Sequence, residues 1–354
     1  MTTMTVLAGA VEAPAAGRPD VPTARLILPA DASEAEWHAV RAAGIGGSDV
    51  AAILALDPYR GPRHVYETKH GRGDQRDTQP MKWGRRLEAL IAEAFTEETG
   101  LDTAETPGTF AHVDRAWQLA NVDRFVLDDD GVVVAPLECK NRSEYQADDW
   151  EEGVPDSPAI QAHWYMATCG WSHAWVAALI GGNRLRKYRL ERDEELIGYL
   201  VDHCGRWYQD HVVDGFPPPA DGLKATADLL SKLWDVKPGE VVDVDLGRAV
   251  GLREKRTALK EQEKAVVDEL RTVENEMRLL TGEAEVARVG SKSAWTWKQN
   301  GTFASSRFRE EMPELAAAYT RRVDAIDTDQ LAADHPETYR KYRARVLRVP
   351  AKGR

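Results

Sequence analysis

The chain has 354 residues, of which 43% are hydrophobic and 29% charged, a balance typical of a globular protein with one large domain or two ordinary ones. No apolar run approaches the ~20 residues of a membrane-spanning helix, and three cysteines without paired spacing argue against a zinc ribbon, a disulfide framework or an iron-sulfur site. Because the formal net charge is -12, binding to nucleic acid would depend on local basic clusters.

The N-terminal third is predicted to contain a leader and three helices. Residues 1–32 are interpreted as a disordered leader, since the first 20 residues lack the basic segment of a signal peptide. Capping residues, apolar periodicity and glycine terminators delimit the helices. The helices are predicted from Ser33 to about Ala43, from Val50 to Leu54 and from Met81 to Thr99.

Strands and helices alternate in the next hundred residues, which predicts an α/β fold. The elements are strands at Trp117–Ala120, Phe125–Leu127 and Val132–Lys140, a helix at Pro158–Cys169, a hairpin of Ala174–Ile180 and Leu185–Leu190, and a helix at Glu194–Val212. Pro136 lacks an N–H group, so the strand that contains it is expected to be bent or locally unpaired. Pro217–Pro219 marks a boundary between a core of residues 33–216 and an extension of residues 217–354.

The extension is predicted to be a helical hairpin at about 221–281 followed by a small β/α region at 284–354. Apolar residues recur every seven positions from Leu252 to Leu280 and require a helical partner, for which the segment Leu223–Trp234 is the candidate. Arg256 and Glu263 interrupt this stripe, which favours a local hairpin over an extended two-stranded coil. Strands are expected at Ala284–Val289 and Ser293–Trp297, with a third at Arg345–Val349.

Asp123, Glu138 and Lys140 form the most informative pattern. On a strand, Glu138 and Lys140 lie two residues apart and therefore project from one face. Two carboxylates suit a hard divalent cation, and a neighbouring ammonium group can orient or deprotonate a water molecule. Glu88 is a third candidate; carboxylates ~4 Å apart repel by about 4 kcal/mol at an effective dielectric of 20, so such a cluster requires a cation.

Two further groups of residues suit a phosphodiester substrate. Gln161 and Tyr165 share one helix face, although partly buried polar packing explains that pair equally. The turn from Gly44 to Asp49 includes Ser48 and exposes main-chain N–H groups that favour binding of a phosphate. Arg41, just before this turn, is either a second, bidentate contact to the phosphate or an ordinary surface arginine. Basic clusters at residues 184–189 and 340–354 either face phosphates or are solvated. Histidine-metal motifs and a serine nucleophile elbow are absent from the sequence.

The ordered series of these residues resembles the YqaJ-type viral recombinase family, relatives of phage lambda exonuclease in the PD-(D/E)XK superfamily. The resemblance covers about Glu36 to Val213. It implies an α/β (α+β) core with a central mixed sheet flanked by helices. The resemblance also implies roles for individual residues. Asp123, Glu138 and the Cys139 carbonyl would bind Mg²⁺ or Mn²⁺, Glu88 would assist the metal or water, and Lys140 would activate water. Gln161 and Tyr165 would orient Lys140 or contact DNA, and Arg41 and Ser48 would hold a phosphate.

By the same resemblance, the expected function is Mg²⁺-dependent 5′-to-3′ digestion of double-stranded DNA ends in phage-type recombination. A single-strand annealing protein and a homotrimer are the implied partners, and a phage or prophage protein in the bacterial cytoplasm is the implied setting. Two alternatives stay open: an endonuclease or single-strand nuclease on the same core, and a non-catalytic DNA-binding accessory protein. Covalently closed circular DNA separates the first from an exonuclease, and retention of Glu88, Asp123, Glu138 and Lys140 argues against the second.

Overall fold

A computed structural model describes residues 21–72, 78–234, 236–320 and 325–343. The chain divides into two compact units, Met1–Asp235 and Val236–Arg354. The predicted leader at residues 1–20, the predicted strand Arg345–Val349 and the last part of the basic tail lie outside the described residues. None of the described helices is both long and apolar enough to cross a bilayer.

The first unit combines eight strands with seven helices among its described residues. The strands are β1 (Ala24–Pro29), β2 (Thr103–Glu105), β3 (Gly108–His112), β4 (Leu119–Ala120), β5 (Arg124–Leu127), β6 (Val133–Arg142), β7 (His173–Ile180) and β8 (Arg184–Glu191). The helices are α1 (Glu34–Ala43), α2 (Gly47–Ile53), α3 (Pro62–Lys69), α4 (Gln79–Thr99), α5 (Asp156–Cys169), α6 (Glu194–Tyr208) and α7 (Lys224–Lys232). A π-helical turn, Gln209–Val213, continues α6.

A five-stranded sheet with the order β2-β5-β6-β7-β8 forms the centre of this unit. The pair β6-β7 is parallel and the other neighbouring pairs are antiparallel, so the sheet is mixed. Strands β1, β3 and β4 form a second, three-stranded sheet. The predicted α/β fold with a central mixed sheet flanked by helices is confirmed.

Alternation along the strands divides the core into two layers. Leu137 and Ala177 pack with Ile91 and Phe95 of α4 on one face of the sheet. Residues one position away point to the other face, where Val176 and Ala178 join the larger core that includes α5. Helix α5 is buried along most of its length, and its position beneath β6 supplies the floor of the site described below.

Residues 24–29 form a strand, so the predicted leader 1–32 was wrong over that stretch. Strand β1 pairs antiparallel with β3, and the Thr23 hydroxyl just before it donates a hydrogen bond to the carbonyl of Thr168 at 2.9 Å. Leu28 is the only residue of β1 that is fully buried. The apolar pattern of residues 24–29 is too weak to predict a strand, and main-chain pairing with β3 holds this strand in place.

Pro136 does not interrupt its strand. It is paired opposite Phe125, and the irregularity of the β5-β6 ladder lies farther back, where Val126 pairs with Ala135 and Leu127 with Val133. Parallel pairing of β6 with β7 begins at Leu137, one residue after Pro136. The missing N–H of Pro136 therefore precedes the part of β6 that is paired on both sides.

The second unit contains the long helix α8 (Leu246–Thr281) and the paired strands β9 (Val286–Val289) and β10 (Lys292–Thr296), as predicted. Four short helices follow: α9 (Ser305–Glu311), α10 (Pro313–Tyr319), α11 (Thr328–Asp334) and α12 (Pro336–Lys341).

The structure corrects the predicted hairpin of residues 221–281. Helix α7 belongs to the first unit and packs against α3, where Thr226 and Leu229 are buried. The segment that leads into α7 approaches Gly61 so closely that a Cβ atom there would lie 2.2 Å from Asp221 Oδ2. The single apolar face of α7 is thus used within the first unit.

Candidate active site

Strand β6 carries Glu138 and Lys140 on the sheet face that is turned toward α5. The strand pairs with β7 at these positions, whereas its pairing with β5 ends at Leu137. Leu137 packs into the α4 layer, so by alternation Glu138 and Lys140 face the opposite side. There the Lys140 ammonium pairs with Glu138 Oε1 and donates a hydrogen bond to Gln161 Oε1 of α5 at 3.0 Å.

Asp123 precedes β5 and meets the same stretch of β6. Its Oδ2 accepts a hydrogen bond from the Cys139 N–H at 2.8 Å. Burial, followed by the negative charge of Asp123, raises the pKa of Glu138 to about 8. Burial also raises the pKa of Asp123, against the opposing positive charge of Lys140. The fold therefore places two acidic groups together at considerable electrostatic cost.

A carboxylate oxygen of Glu138 indicates that this pair of acidic residues can hold a cation. Glu138 is 2% exposed, and among the described residues its Oε2 has no hydrogen-bond partner. A buried carboxylate oxygen without a partner is destabilising unless a cation or proton satisfies it. Carboxylates of Asp123 and Glu138 with the main-chain carbonyl of Cys139 offer the oxygen donors that Mg²⁺ and Mn²⁺ take, with water completing the coordination.

No group of three or more His, Cys, Asp or Glu side chains is placed to hold a metal ion within the described part of the chain. This finding agrees with a donor set of two carboxylates and one carbonyl, because Mg²⁺ keeps several water ligands and seldom occupies a cage built only of protein groups. The donor set fits Mg²⁺ and Mn²⁺ better than it fits Zn²⁺, which favours nitrogen and sulfur ligands.

Glu88 of α4 reaches the site through Arg124. The two side chains form an ion pair, and Arg124 Nη1 also donates to the Asp123 carbonyl at 2.6 Å. Burial, followed by the charge of Asp123, raises the pKa of Glu88. A shallow cavity of about 350 Å³ is lined by Glu88, Asp123 and Arg124, which leaves room for water beside the carboxylates.

A hydrogen-bonded chain extends from Lys140 into α5. Gln161 accepts from Lys140 and donates from Nε2 to the Tyr165 hydroxyl at 2.8 Å. Burial raises the pKa of Tyr165 well above its usual value, so the phenol stays neutral. The start of α2 lies against this pair, since a Cβ on Gly47 would be 2.8 Å from Tyr165 Cε1 and 3.0 Å from Gln161 Cγ. The start of α2 thereby holds Gln161 and Tyr165 in place beneath β6.

The glycine-rich turn brings Arg41 and Ser48 together, with Arg41 Nη2 3.1 Å from Ser48 Oγ. The adjacent Asp49 is 1% exposed. Three cations surround it: Lys69 at 2.7 Å, Arg60 at 3.0 Å and Arg41 at 3.5 Å. Burial alone would raise the pKa of Asp49, but the charges of Lys69, Arg60 and Arg41 outweigh it and hold that pKa far below its usual value. Three positive groups around one carboxylate leave the turn electropositive.

Sequence reasoning missed several residues of this region. Arg60 and Lys69 belong to or border α3, a helix that was not predicted, so nothing in the sequence linked them to Asp49. Arg124 follows Asp123 directly, yet only the fold shows its contact with Glu88. Arg142 had a usable signal, because it lies two residues beyond Lys140 on the same face of β6; its guanidinium carbon is 6.0 Å from the centre of the Trp150 ring.

Comparison with known proteins finds similarity in sequence and in structure. Residues 36–172 match the YqaJ-like viral recombinase domain. The matched YqaJ-like segment begins in α1 and ends just after α5, so it includes every predicted site residue from Arg41 to Tyr165.

One curated relative, the uncharacterized protein YqaJ of Bacillus subtilis (strain 168), is 32% identical over 207 residues, which are 57% of this chain and 64% of that protein. The chain therefore spans somewhat less than two thirds of the length of this relative.

Solved structures with similarity to the chain include an alkaline exonuclease (LHK-Exo) from Laribacter hongkongensis, at 18% identity and a TM-score of 0.41. That alignment covers 51% of this chain and 93% of the exonuclease. A phage-related exonuclease from Haemophilus somnus 129PT aligns at 11% identity with a TM-score of 0.37, over 48% of this chain and 96% of the other.

Proposed function

We propose that the chain is a divalent-metal-dependent deoxyribonuclease that digests double-stranded DNA from its ends, in the 5′-to-3′ direction, during phage-type homologous recombination. The observation that carries this proposal is the half-buried Asp123 beside the buried Glu138, which has an unpartnered carboxylate oxygen and a lysine ammonium next to it. That arrangement suits hydrolysis of a phosphodiester. The match of residues 36–172 to the YqaJ-like viral recombinase domain supports DNA as the substrate.

Each residue has a role that follows from its position. Asp123, Glu138 and the Cys139 carbonyl would hold Mg²⁺, with Mn²⁺ able to substitute; when bound, the ion neutralises charge on the phosphate and acidifies water. The Lys140 ammonium orients the attacking water by donating a hydrogen bond to it. Gln161 fixes the Lys140 ammonium from the opposite side at 3.0 Å.

Arg41 and Ser48 supply a positively charged turn for a phosphate of the DNA, near or at the 5′ end. Arg41 lies against Ser48 at 3.1 Å, and the neighbouring cations Arg60 and Lys69 add to the local positive charge. This local field explains how a chain with a net charge of -12 can bind DNA, since counterion release depends on the charges in contact with phosphates. A 3′ single strand left by digestion would be the substrate of an annealing protein, and a ring-shaped homotrimer would keep the enzyme on its duplex.

A gel assay with three substrates tests the proposed activity. A linear duplex labelled at the 5′ ends, the same duplex labelled at the 3′ ends and a covalently closed circle are incubated with the full chain and Mg²⁺. We expect early release of short fragments from the 5′ label, slow loss of the 3′ label and an intact circle. Cleavage of the circle would establish the endonuclease alternative, and release from the 3′ label first would reverse the polarity.

Calorimetric titration with Mn²⁺ tests the metal site separately from cleavage. Wild-type protein should bind Mn²⁺, and Asp123→Ala should not, whereas Asp128→Ala at the exposed turn should bind it as the wild type does. Equal binding by all three proteins would refute the assignment of Asp123 as a ligand, and no binding by any of them would favour the non-catalytic alternative.

A further inference from the structure

Helix α8 leaves an apolar stripe uncovered. The helix has 36 residues and is about 54 Å long at ~1.5 Å per residue. Six apolar side chains of the stripe are exposed by 51% to 77%: Leu252, Leu259, Val266, Leu270, Val273 and Leu280. We name this stripe, with Met277, the α8 seam. Monomeric proteins rarely expose continuous apolar surface of this extent, so the seam has the character of an interface.

Two described segments that are near the seam in the sequence, α7 and the β9-β10 hairpin, are engaged elsewhere. Helix α7, which the sequence suggested as the partner, buries Thr226 and Leu229 in the first unit. The β9-β10 hairpin meets α8 at its last turn, where Trp295 Nε1 donates to Thr281 Oγ1 at 2.8 Å. The hairpin therefore accounts for the half-buried Met277 and leaves the seam from Leu252 to Val273 exposed.

The spacing of the seam is that of a coiled coil. Leu252, Leu259, Val266, Val273 and Leu280 repeat every seven residues and occupy heptad position d, while Leu270 and Met277 occupy position a. Arg256 and Glu263 fill the two preceding a positions. Polar residues at such positions reduce stability but determine the register and orientation in which two helices pair.

Charges beside the seam select the partner and its direction. The flanking e and g positions are basic in the first half of α8, at Arg248, Arg253, Lys255 and Lys260, and acidic in the second half, at Glu269, Glu274 and Glu276. In a parallel pair of α8 helices, g faces the e position five residues later on the other helix, so Lys255 would face Lys260 and Glu269 would face Glu274. Parallel pairing thus places like charges together.

Antiparallel pairing of two α8 helices removes these repulsions. With Leu259 opposite Leu270 of a second copy and Leu252 opposite its Met277, Lys255 faces Glu276 and Arg253 faces Glu274 at both ends of the pair. Arg256 and Glu263 then lie opposite Val273 and Val266, so neither meets a like charge. The basic half of one α8 helix therefore faces the acidic half of the other, so that two copies of the same helix are complementary in charge.

We propose that α8 is a self-association helix that pairs antiparallel with α8 of a second copy of this chain, about a two-fold axis between Lys264 and Ala265. A two-fold contact is closed, because each copy uses the same surface. In this proposal the paired helices belong to different assemblies, so the contact doubles the mass of the assembly that forms without it. This inference does not depend on the proposed nuclease activity.

Molar mass by light scattering after size exclusion tests the interface in the full chain. Leu259→Asp combined with Val266→Asp places two carboxylates in the seam and should halve the mass. The matched control combines Val250→Asp with Leu279→Asp, which changes the same residue types at exposed positions of α8 outside the seam, and should keep the wild-type mass. Equal masses for wild type and the seam variant would overturn the proposal. That result is expected if a different protein or another segment of the chain covers the seam.

Engineered cysteines determine the direction of pairing. Arg256→Cys combined with Val273→Cys puts two thiols opposite each other in the antiparallel register, so mild oxidation should give a covalent dimer on a denaturing gel. Val273→Cys alone reports parallel pairing, which would bring position 273 of both copies together; we expect no dimer from it. Wild-type protein with its natural Cys139, Cys169 and Cys204 controls for other thiols. A dimer from Val273→Cys alone, or none from the double variant, would contradict the antiparallel arrangement.

Discussion

Replacing Glu138 by Gln should stabilise the metal-free protein at alkaline pH while it abolishes cleavage. Glu138 is 2% exposed, and burial together with Asp123 raises its pKa from 4.5 to about 8. A carboxyl group with a raised pKa in the folded state binds its proton more tightly there than in the unfolded chain. Its contribution to stability is therefore fully present below about pH 4.5 and is lost as the pH rises toward 8.

The size of this loss follows from the pKa change. Each pKa unit corresponds to ~1.4 kcal/mol, so a rise from 4.5 to about 8 amounts to at most about 5 kcal/mol of unfolding free energy. Gln keeps the shape of the protonated side chain and does not ionise. The advantage of Glu138→Gln over wild type should consequently grow between about pH 5 and pH 9, by several kcal/mol and no more than about 5.

Urea unfolding in the presence of a chelator, followed by tryptophan fluorescence, measures the effect because Trp150 and Trp164 are buried in the first unit. Glu144→Gln is the matched control, since Glu144 lies just beyond β6 and is exposed, paired only with Arg184. A stability difference between Glu138→Gln and wild type that stays constant with pH would refute the assignment of Glu138 as a group with a raised pKa. Added Mn²⁺ should stabilise the wild type at about pH 8 and leave Glu138→Gln unchanged.

Three other substitutions address the parts that surround the carboxylates. Asp49→Asn should lower the unfolding free energy by about 3–5 kcal/mol, because it leaves the buried Lys69 ammonium without its charged partner. The same change at an exposed position, Asp129→Asn, should have little effect in the same urea titration, and equal values would contradict this account. Gly47→Ala should reduce cleavage at least ~10-fold, because the added Cβ displaces Gln161 and Tyr165. Gly46→Ala should cleave at nearly the wild-type rate, since the nearest neighbour of its Cβ would be 4.0 Å away. Comparable losses of cleavage in the two variants would contradict the role assigned to packing at Gly47. Gln161→Ala should lower kcat by about 10- to 100-fold with little change in DNA affinity, and single-turnover rates equal to wild type would show that Lys140 does not need this contact.

Strand β6 was predictable from the sequence, because it combines two independent signals. Alternation places Glu138 and Lys140 on one face, and the apolar residues before them require burial of the strand. The helix of Gln161 and Tyr165 was also predictable, since Gly170 ends it in a left-handed conformation. These inferences use local periodicity, which the sequence encodes directly.

Contacts between distant segments were beyond such reasoning. Strand β1 is exposed along most of its length and is held by pairing with β3, so its residues carry little apolar pattern. The charges around Asp49 come from three separate segments, and only the folded chain brings them together. Helix α7 has an apolar face that suits several partners, and its choice of α3 depends on the space beside Gly61, which no pattern in the sequence reveals.

Digestion of a linear duplex by Glu138→Ala and Lys140→Ala tests the central claim most directly. Both purified variants are assayed in Mg²⁺ beside the wild type and the Glu144→Ala control, after circular dichroism has shown that all four are folded. We predict digestion by wild type and Glu144→Ala and none by the other two, because one lacks a metal ligand and the other lacks the group that activates water. Wild-type rates of digestion by either Glu138→Ala or Lys140→Ala would contradict the assignment of Asp123, Glu138 and Lys140 as the catalytic centre.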